Sequence, residues 1–139
     1  MAEGAFRKAA AEAGLDCEVD SVGTAAYHIG EPPDPRAIAT AGKHGVDIAS
    51  AEGRQLTPAD FERFSHIFAL DKANLAGIMG RAPLDARAKV SLLMDAVPGR
   101  EGEEVADPYY GGEGDFEDAW SEISFAAHQL AQKLAKEAG

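Results

Sequence analysis

Hydrophobic and polar positions alternate along the chain with two periods, one typical of helices and one of strands. In the last third, six apolar residues recur in steps of three and four, which predicts one long helix with a single apolar stripe. They are Phe116, Trp120, Ile123, Ala127, Leu130 and Leu134. Short apolar runs at 19–22, 67–70 and 90–94 are candidate strands. Strands that alternate with capped helices favour an α/β fold with a parallel sheet.

Helix boundaries are marked by residues that cap or end a helix. An alanine-rich segment over 1–13 predicts a first helix, and Gly14 is a suitable residue to end it. A second helix is expected from Pro35 to His44, because Asp34 can cap its first turn and proline fits there. Gly45 then ends it.

Three further positions carry the same kind of signal. Thr57 and Asp60 have the spacing of a capping box and predict another helix start. Asp71 follows the 67–70 run directly and is a second cap candidate. Acidic residues at 115, 117 and 118 open the last helix, where the helix dipole favours negative charge.

Composition and charge limit the class of protein. The 139 residues suit one domain, 1–139, with 45% hydrophobic residues. Cys17 is the one cysteine, so no internal disulfide can form and a cytoplasmic, reducing location is expected. No apolar run could span a bilayer. The net charge of −11 argues against nucleic acid or an anionic membrane as partner, and any anionic substrate would need a local site that overcomes this field.

The segment DPYYGG at 107–112 is the strongest candidate for chemistry. Asp107 lies in a loop after a strand, where α/β folds place functional residues, and rings beside it can desolvate the carboxyl group and raise its pKa. A carboxyl group of that kind suits general-acid catalysis. Asp-Pro and Gly-Gly are also ordinary turn formers, so a purely structural turn is the alternative.

The other reactive side chains carry weaker signals. Cys17 lies between two acids, which raise a thiol pKa, and Gly23 stands where a Cys-x5-Arg loop would need arginine. The four histidines show no metal-ligand spacing, so no metal or cofactor is expected. Arg36 is unfavourable in the first turn of a helix, which indicates either a specific partner or a solvated side chain.

Several segments together resemble the low-molecular-weight protein-tyrosine phosphatases, over essentially the whole chain. The most specific is DPYYGGEGDFEDAW at 107–120, and five others support it. These are MAEGAFR at 1–7, DSVGT at 20–24, YHIGEPPDPRA at 27–37, RQLTPADFERFSHIFALDKANL at 54–75 and AKVSLL at 88–93. The resemblance implies a three-layer fold around a four-stranded parallel sheet of order 2-1-3-4.

The resemblance also implies a mechanism. A cysteine thiolate attacks the phosphorus of phosphotyrosine, and a Cys-x5-Arg loop at a helix N-terminus holds the phosphate. The aspartic acid that protonates the leaving phenolate and then activates water maps onto Asp107. The aromatic walls of the cleft map onto Tyr27, Tyr109 and Tyr110. The expected substrate is a phosphotyrosine protein, with no cofactor.

The sequence departs from the family before MAE, where the family has its first strand and the Cys-x5-Arg loop. The 139 residues contain no Cys-x5-Arg motif. An N-terminally truncated, inactive piece of an active phosphatase is therefore expected. A non-catalytic phosphotyrosine- or protein-binding relative and, less favoured, an arsenate reductase are the alternatives. Without the internal first strand, this chain would expose open sheet edges, so homo-oligomers are possible.

Overall fold

The computed structural model describes residues 1–22, 34–49, 54–106, 108 and 111–138. Within these residues the chain forms five α-helices, one 3-10 helix at Leu93–Ala96 and two strands. In chain order the other elements are α1 (Ala2–Glu12), α2 (Pro35–Lys43), α3 (Asp60–Arg63), β1 (His66–Ala69), α4 (Lys72–Met79), β2 (Lys89–Leu92) and α5 (Glu113–Ala138).

Local signals set the ends of α1, α2 and α4, as predicted. Gly14 follows α1 with φ of 69°, and Gly45 follows α2 with φ of 78°, a region that glycine adopts without strain. The Asp34 carboxylate accepts from the Arg36 amide in the first turn of α2. Asp71 caps α4 by accepting from the Asn74 amide at 2.7 Å. These side chains satisfy amides that a helix leaves unpaired.

The capping-box spacing of Thr57 and Asp60 predicts a helix start, and α3 begins at Asp60. The Asp60 carboxylate accepts from the amide of Thr57 at 2.8 Å and from its hydroxyl at 3.1 Å. The residues between them form a turn, and α3 spans only Asp60–Arg63.

The sheet of the described residues consists of β1 and β2, paired in parallel. Ile67 lies opposite Val90, and Ala69 lies opposite Leu92. The predicted strands at 67–70 and 90–94 are therefore present, each beginning one residue earlier. The second ends at Leu92, where the chain turns into the 3-10 helix.

Helices cover both faces of this sheet, which gives three layers. Ala69 and Leu92 are buried on one face, in a cluster with Phe61 of α3 and Ile78 of α4. Phe68, whose side chain points the other way in the strand, packs against the cluster formed by α1, α2 and α5. The α/β class and the parallel sheet are as predicted.

The long helix α5 carries the predicted apolar stripe and organises the larger cluster. Phe116, Trp120, Ile123, Ala127 and Leu130 are buried in it, and Leu134 packs at its edge. Helix α1 lies along α5 and approaches the segment after α2 closely. A methyl group on Gly4 would come within 2.7 Å of Val46 and Ile48, so the smallest residue is needed there.

The prediction of a strand at 19–22 is wrong. Residues 19–22 are described and have no strand structure. The carbonyl of Val19 accepts from the Arg7 guanidinium, and the Asp20 carboxylate accepts from the Ser21 amide. A strand needs a neighbouring strand to pair with, and here side chains take up the polar groups of the backbone instead.

Candidate active site

The four residues predicted to act on substrate lie outside the described residues. They are Tyr27, Asp107, Tyr109 and Tyr110. Pro108 and Gly111 of the same loop are described, as are the residues before and after it. The site is therefore described through the residues that hold the two ends of the loop, which we call the frame of the loop.

Upstream, the loop is fixed to the carboxyl end of β1. The Val105 amide donates to the carbonyl of Leu70, the residue after β1, at 2.8 Å, and Val105 is buried. One residue earlier, the Glu104 carboxylate accepts from the Lys72 amide at 2.8 Å, at the start of α4. The carboxyl end of a parallel strand is where α/β folds place their binding sites.

Downstream, the loop closes in a turn and joins α5. The Gly111 amide donates to the Pro108 carbonyl at 2.8 Å. The Asp115 carboxylate then accepts from the Gly112 amide at 3.0 Å, just before α5 begins. A methyl group on Gly111 would lie 2.2 Å from a carboxylate oxygen of Asp115, so this turn requires glycine at 111 because of the close approach.

Arg36 joins this turn to α2. Its Nη1 donates to the Gly111 carbonyl at 3.1 Å, and its guanidinium lies over the ring of Phe116 at 4.7 Å from the centroid. Asp34 pairs with the same guanidinium at 2.8 Å. The side-chain hydrogen bond from Arg36, followed by the bond from its amide, holds the pKa of Asp34 below its ordinary value. The sequence showed only that Arg36 was unfavourably placed; its partners explain why it is there.

The other end of α2 is tied to α5 by charge and stacking. Lys43 pairs with Glu113, and the His44 ring contacts the Glu117 carboxylate at 2.8 Å. The same ring stacks on Trp120 with centroids 5.2 Å apart. Helix α2 is thus fastened along the first turns of α5, which gives the loop a rigid base.

A second polar network joins the segment after α1 to the start of α3. Arg54 donates to both carboxylate oxygens of the buried Asp60, at 2.9 and 3.1 Å, and pairs with Asp20 at 3.1 Å. Burial alone would raise the pKa of Asp60, but the bonds from Arg54 and Thr57 outweigh it and lower that pKa. A bidentate pair of this kind fixes the orientation of both the guanidinium and the carboxylate.

Cys17 has none of the features of a phosphate-binding nucleophile. It is exposed and lies in the segment after α1, whereas an anion-binding loop precedes a helix N-terminus. Partial burial and the charge of Asp16 raise the pKa of its thiol, against a smaller opposite effect of Arg7. A raised pKa reduces the thiolate fraction, which makes Cys17 a poor nucleophile.

Each described histidine contacts a neighbouring side chain. His44 has the contacts given above, His66 stacks on Phe68, and His128 contacts Gln132 at 3.1 Å. No group of three His, Cys, Asp or Glu side chains within the described residues is arranged to hold a metal ion. His28 lies outside them.

A groove of about 280 Å³ lies at the opposite end of α2 from the loop. It runs between α1 and α5 and is lined by Lys8, His44 and Trp120, among others. The Lys8 ammonium donates to the His44 carbonyl at 3.0 Å, so its positive charge satisfies a carbonyl at the C-terminal end of α2. None of the described helices is both long and apolar enough to cross a membrane.

Comparison with known proteins gives a consistent result. A family model described as low molecular weight phosphotyrosine protein phosphatase matches residues 1–139. The low molecular weight phosphotyrosine protein phosphatase of Schizosaccharomyces pombe is 38% identical over 138 residues, which are 97% of this chain and 88% of the relative.

Solved structures show the same similarity in three dimensions. A protein tyrosine phosphatase from Entamoeba histolytica superimposes with a TM-score of 0.90 at 30% identity, covering 99% of this chain and 89% of that one. Vibrio vulnificus Wzb in complex with benzylphosphonate gives a TM-score of 0.83 at 29% identity, covering 95% and 87%. Together with the loop tethered at the end of β1, these matches establish that the chain belongs to the low molecular weight phosphotyrosine protein phosphatase family.

Proposed function

We propose that the full-length protein hydrolyses phosphotyrosine through a phosphocysteine intermediate, with Asp107 as general acid and then general base. In the first step the acid protonates the phenolate as it leaves phosphorus, and in the second the carboxylate takes a proton from the attacking water. Tyr27, Tyr109 and Tyr110 are proposed to wall the cleft and pack on the substrate ring.

The observation that carries this proposal is the frame of the 105–112 loop. The loop leaves the carboxyl end of β1 at Val105 and is held to α2 at Gly111. Asp107 lies between these two fixed points in sequence. A loop that is held at both ends suits a general acid, because the acid must lie within hydrogen-bond distance of the leaving oxygen. The benzylphosphonate bound by the Vibrio vulnificus relative carries a phenyl ring, which fits a cleft walled by aromatic side chains.

The nucleophile is proposed to lie outside residues 1–139. Cys17, the one cysteine in the sequence, is exposed, and its thiol pKa is raised. We therefore expect the 139 residues alone to release no phosphate from an aryl ester, and we expect Cys17→Ser to change nothing. Activity of the 139-residue chain that disappears on Cys17→Ser would overturn this part of the proposal.

A phosphate-release assay with matched peptides tests the function itself. The full-length protein should dephosphorylate a phosphotyrosine peptide and leave the phosphoserine peptide of the same sequence largely intact. A metal chelator should leave the rate unchanged, because the proposed mechanism uses a thiolate and a carboxyl group. Hydrolysis of neither peptide would contradict the proposal.

The proposed substrate is a phosphotyrosine protein, and the proposed location is the cytoplasm, where a single free cysteine stays reduced. A non-catalytic phosphotyrosine-binding relative is the second candidate, because the 139 residues contain no Cys-x5-Arg motif. Saturable binding of the phosphotyrosine peptide by the full-length protein without phosphate release would favour it.

A further inference from the structure

Arg36 occupies a position that helix electrostatics disfavours. It is in the first turn of α2, where the positive end of the dipole repels a cation. The Asp34 carboxylate, which caps the same turn, accepts from Arg36 Nε at 3.1 Å and Nη2 at 2.8 Å. This pair offsets the repulsion and holds the guanidinium in one orientation.

That orientation directs the guanidinium at the end of the acid loop. Nη1 donates to the Gly111 carbonyl at 3.1 Å, across 75 positions of sequence. The face of the guanidinium lies on Phe116, which is buried in the first turn of α5. One planar group therefore contacts α2, the loop and α5 at the same time.

Only arginine among the side chains can make this set of contacts. The guanidinium has five N–H donors in a fixed plane and can stack on a ring while it donates at its edge. Lysine could reach one acceptor but would lose the planar stack. The contacts therefore indicate that this position uses the planar shape of the guanidinium and not only its positive charge.

We propose that Arg36 is a positioning residue for the acid loop: it fixes the Gly111 end of the loop on α2 and so supports general-acid catalysis from that loop. This inference rests on the proposed function. The upstream end is fixed by the bond from the Val105 amide to the Leu70 carbonyl, and Arg36 is the tie between the downstream end and α2, so loss of Arg36 removes that tie and leaves the downstream end held from α5.

Two variants and one control, all made in the full-length protein, isolate the role. Arg36→Ala removes both the donor and the stack, and Arg36→Lys keeps the charge alone. Arg87→Ala is the matched control, because Arg87 is an exposed arginine in the loop before β2 and its removal changes the net charge equally.

The first readout is the dependence of kcat/KM on the leaving group. Phenyl phosphate has a poor leaving group and needs the acid, whereas 4-nitrophenyl phosphate has a better one and needs it less. Arg36→Ala should lower kcat/KM for phenyl phosphate by about 10²-fold, since a misplacement of about 1 Å costs that much. The loss with 4-nitrophenyl phosphate should be several-fold smaller. Arg36→Lys should give an intermediate loss and Arg87→Ala none.

The second readout is independent of catalysis. Amide hydrogen exchange of peptides covering 106–112 should speed up in Arg36→Ala, while peptides of β1 and β2 and the whole Arg87→Ala protein exchange as in the wild type. Unchanged exchange of 106–112, or equal losses with both esters, would overturn the positioning role. A wild-type protein that hydrolyses neither ester would contradict the proposed function, and the exchange result would still decide whether Arg36 tethers the loop.

Discussion

Gly111→Ala tests the frame of the acid loop at its tightest point. The new methyl carbon would lie 2.2 Å from the Asp115 Oδ2 and 2.7 Å from the Asp115 Cβ. Rotation of the Asp115 side chain can move the carboxylate, but its Cβ is fixed by the backbone of α5. Either the turn or the first turn of α5 must therefore shift.

The cost follows from the two contacts that change. Displacement of the Asp115 carboxylate breaks its bond to the Gly112 amide, and loss of such a cap costs about 1 kcal/mol. Overpacking of a tight contact costs about 1–3 kcal/mol. We expect the free energy of unfolding to fall by about 2–4 kcal/mol and the Tm to fall by roughly 3–5 °C for each kcal/mol.

Denaturant unfolding followed by tryptophan fluorescence measures this loss. Trp120 is the one tryptophan, and it is 4% exposed in the core beside α2, so its emission reports global unfolding. Gly112→Ala is the matched control, because a methyl group there meets nothing within 4 Å. It should cost a few tenths of a kcal/mol at most.

A double-mutant cycle assigns the cause. In an Asp115→Ala background the clash is reduced and the cap is already gone, so Gly111→Ala should cost at least about 1 kcal/mol less than in the wild type. Equal costs in the two backgrounds, or a Gly111→Ala protein as stable as Gly112→Ala, would refute the proposed geometry.

Three other expectations concern the scaffold. Gly4→Ala should destabilise the fold by about 1 kcal/mol, because the cost of overpacking exceeds the gain in helix propensity. Gly42→Ala is the control: a methyl group there meets nothing within 4 Å, so the free energy of unfolding, measured in denaturant, should stay the same or rise. Arg54→Met should cost about 2 kcal/mol at pH 7, since it leaves the buried Asp60 carboxylate without its cation and with only the bonds from Thr57, while the partly exposed position of Arg54 limits the loss. The lowered pKa of Asp60 contributes stability that is present above the ordinary pKa of an aspartic acid and is lost as the pH falls below it. Urea titrations should therefore show the Arg54→Met deficit shrinking in acid; a constant deficit would exclude this linkage. Among the described residues β1 pairs with β2 alone, so the 139-residue chain should self-associate through the other edge of β1, and a monomer at every concentration in size-exclusion chromatography would contradict this.

The helix ends were predictable because their signals are local. Asp34, Pro35 and Gly45 mark α2 within a few residues of sequence, and the structure follows them. The apolar stripe of α5 was equally clear, since it repeats over several turns. These features depend on short-range sterics and on one buried face.

Features that depend on distant partners were not predictable. The apolar pattern at 19–22 suggested a strand, but strand formation also needs a neighbour, and Arg7 and Arg54 bind this segment instead. The placement of Arg36 gave a hint of a partner, yet nothing local identified Gly111 and Phe116. The positions of Asp107 and the three tyrosines remain predictions from the resemblance.

The role of Asp107 is most directly tested by Asp107→Asn in the full-length protein, with Asp118→Asn as control. Asp118 is an exposed acid in the first turns of α5, so its replacement makes the same change of charge outside the loop. We predict that Asp107→Asn lowers kcat/KM for phenyl phosphate by about 10²–10⁴-fold, while Asp118→Asn leaves it unchanged. Equal activity of Asp107→Asn and the wild type would remove Asp107 from the mechanism.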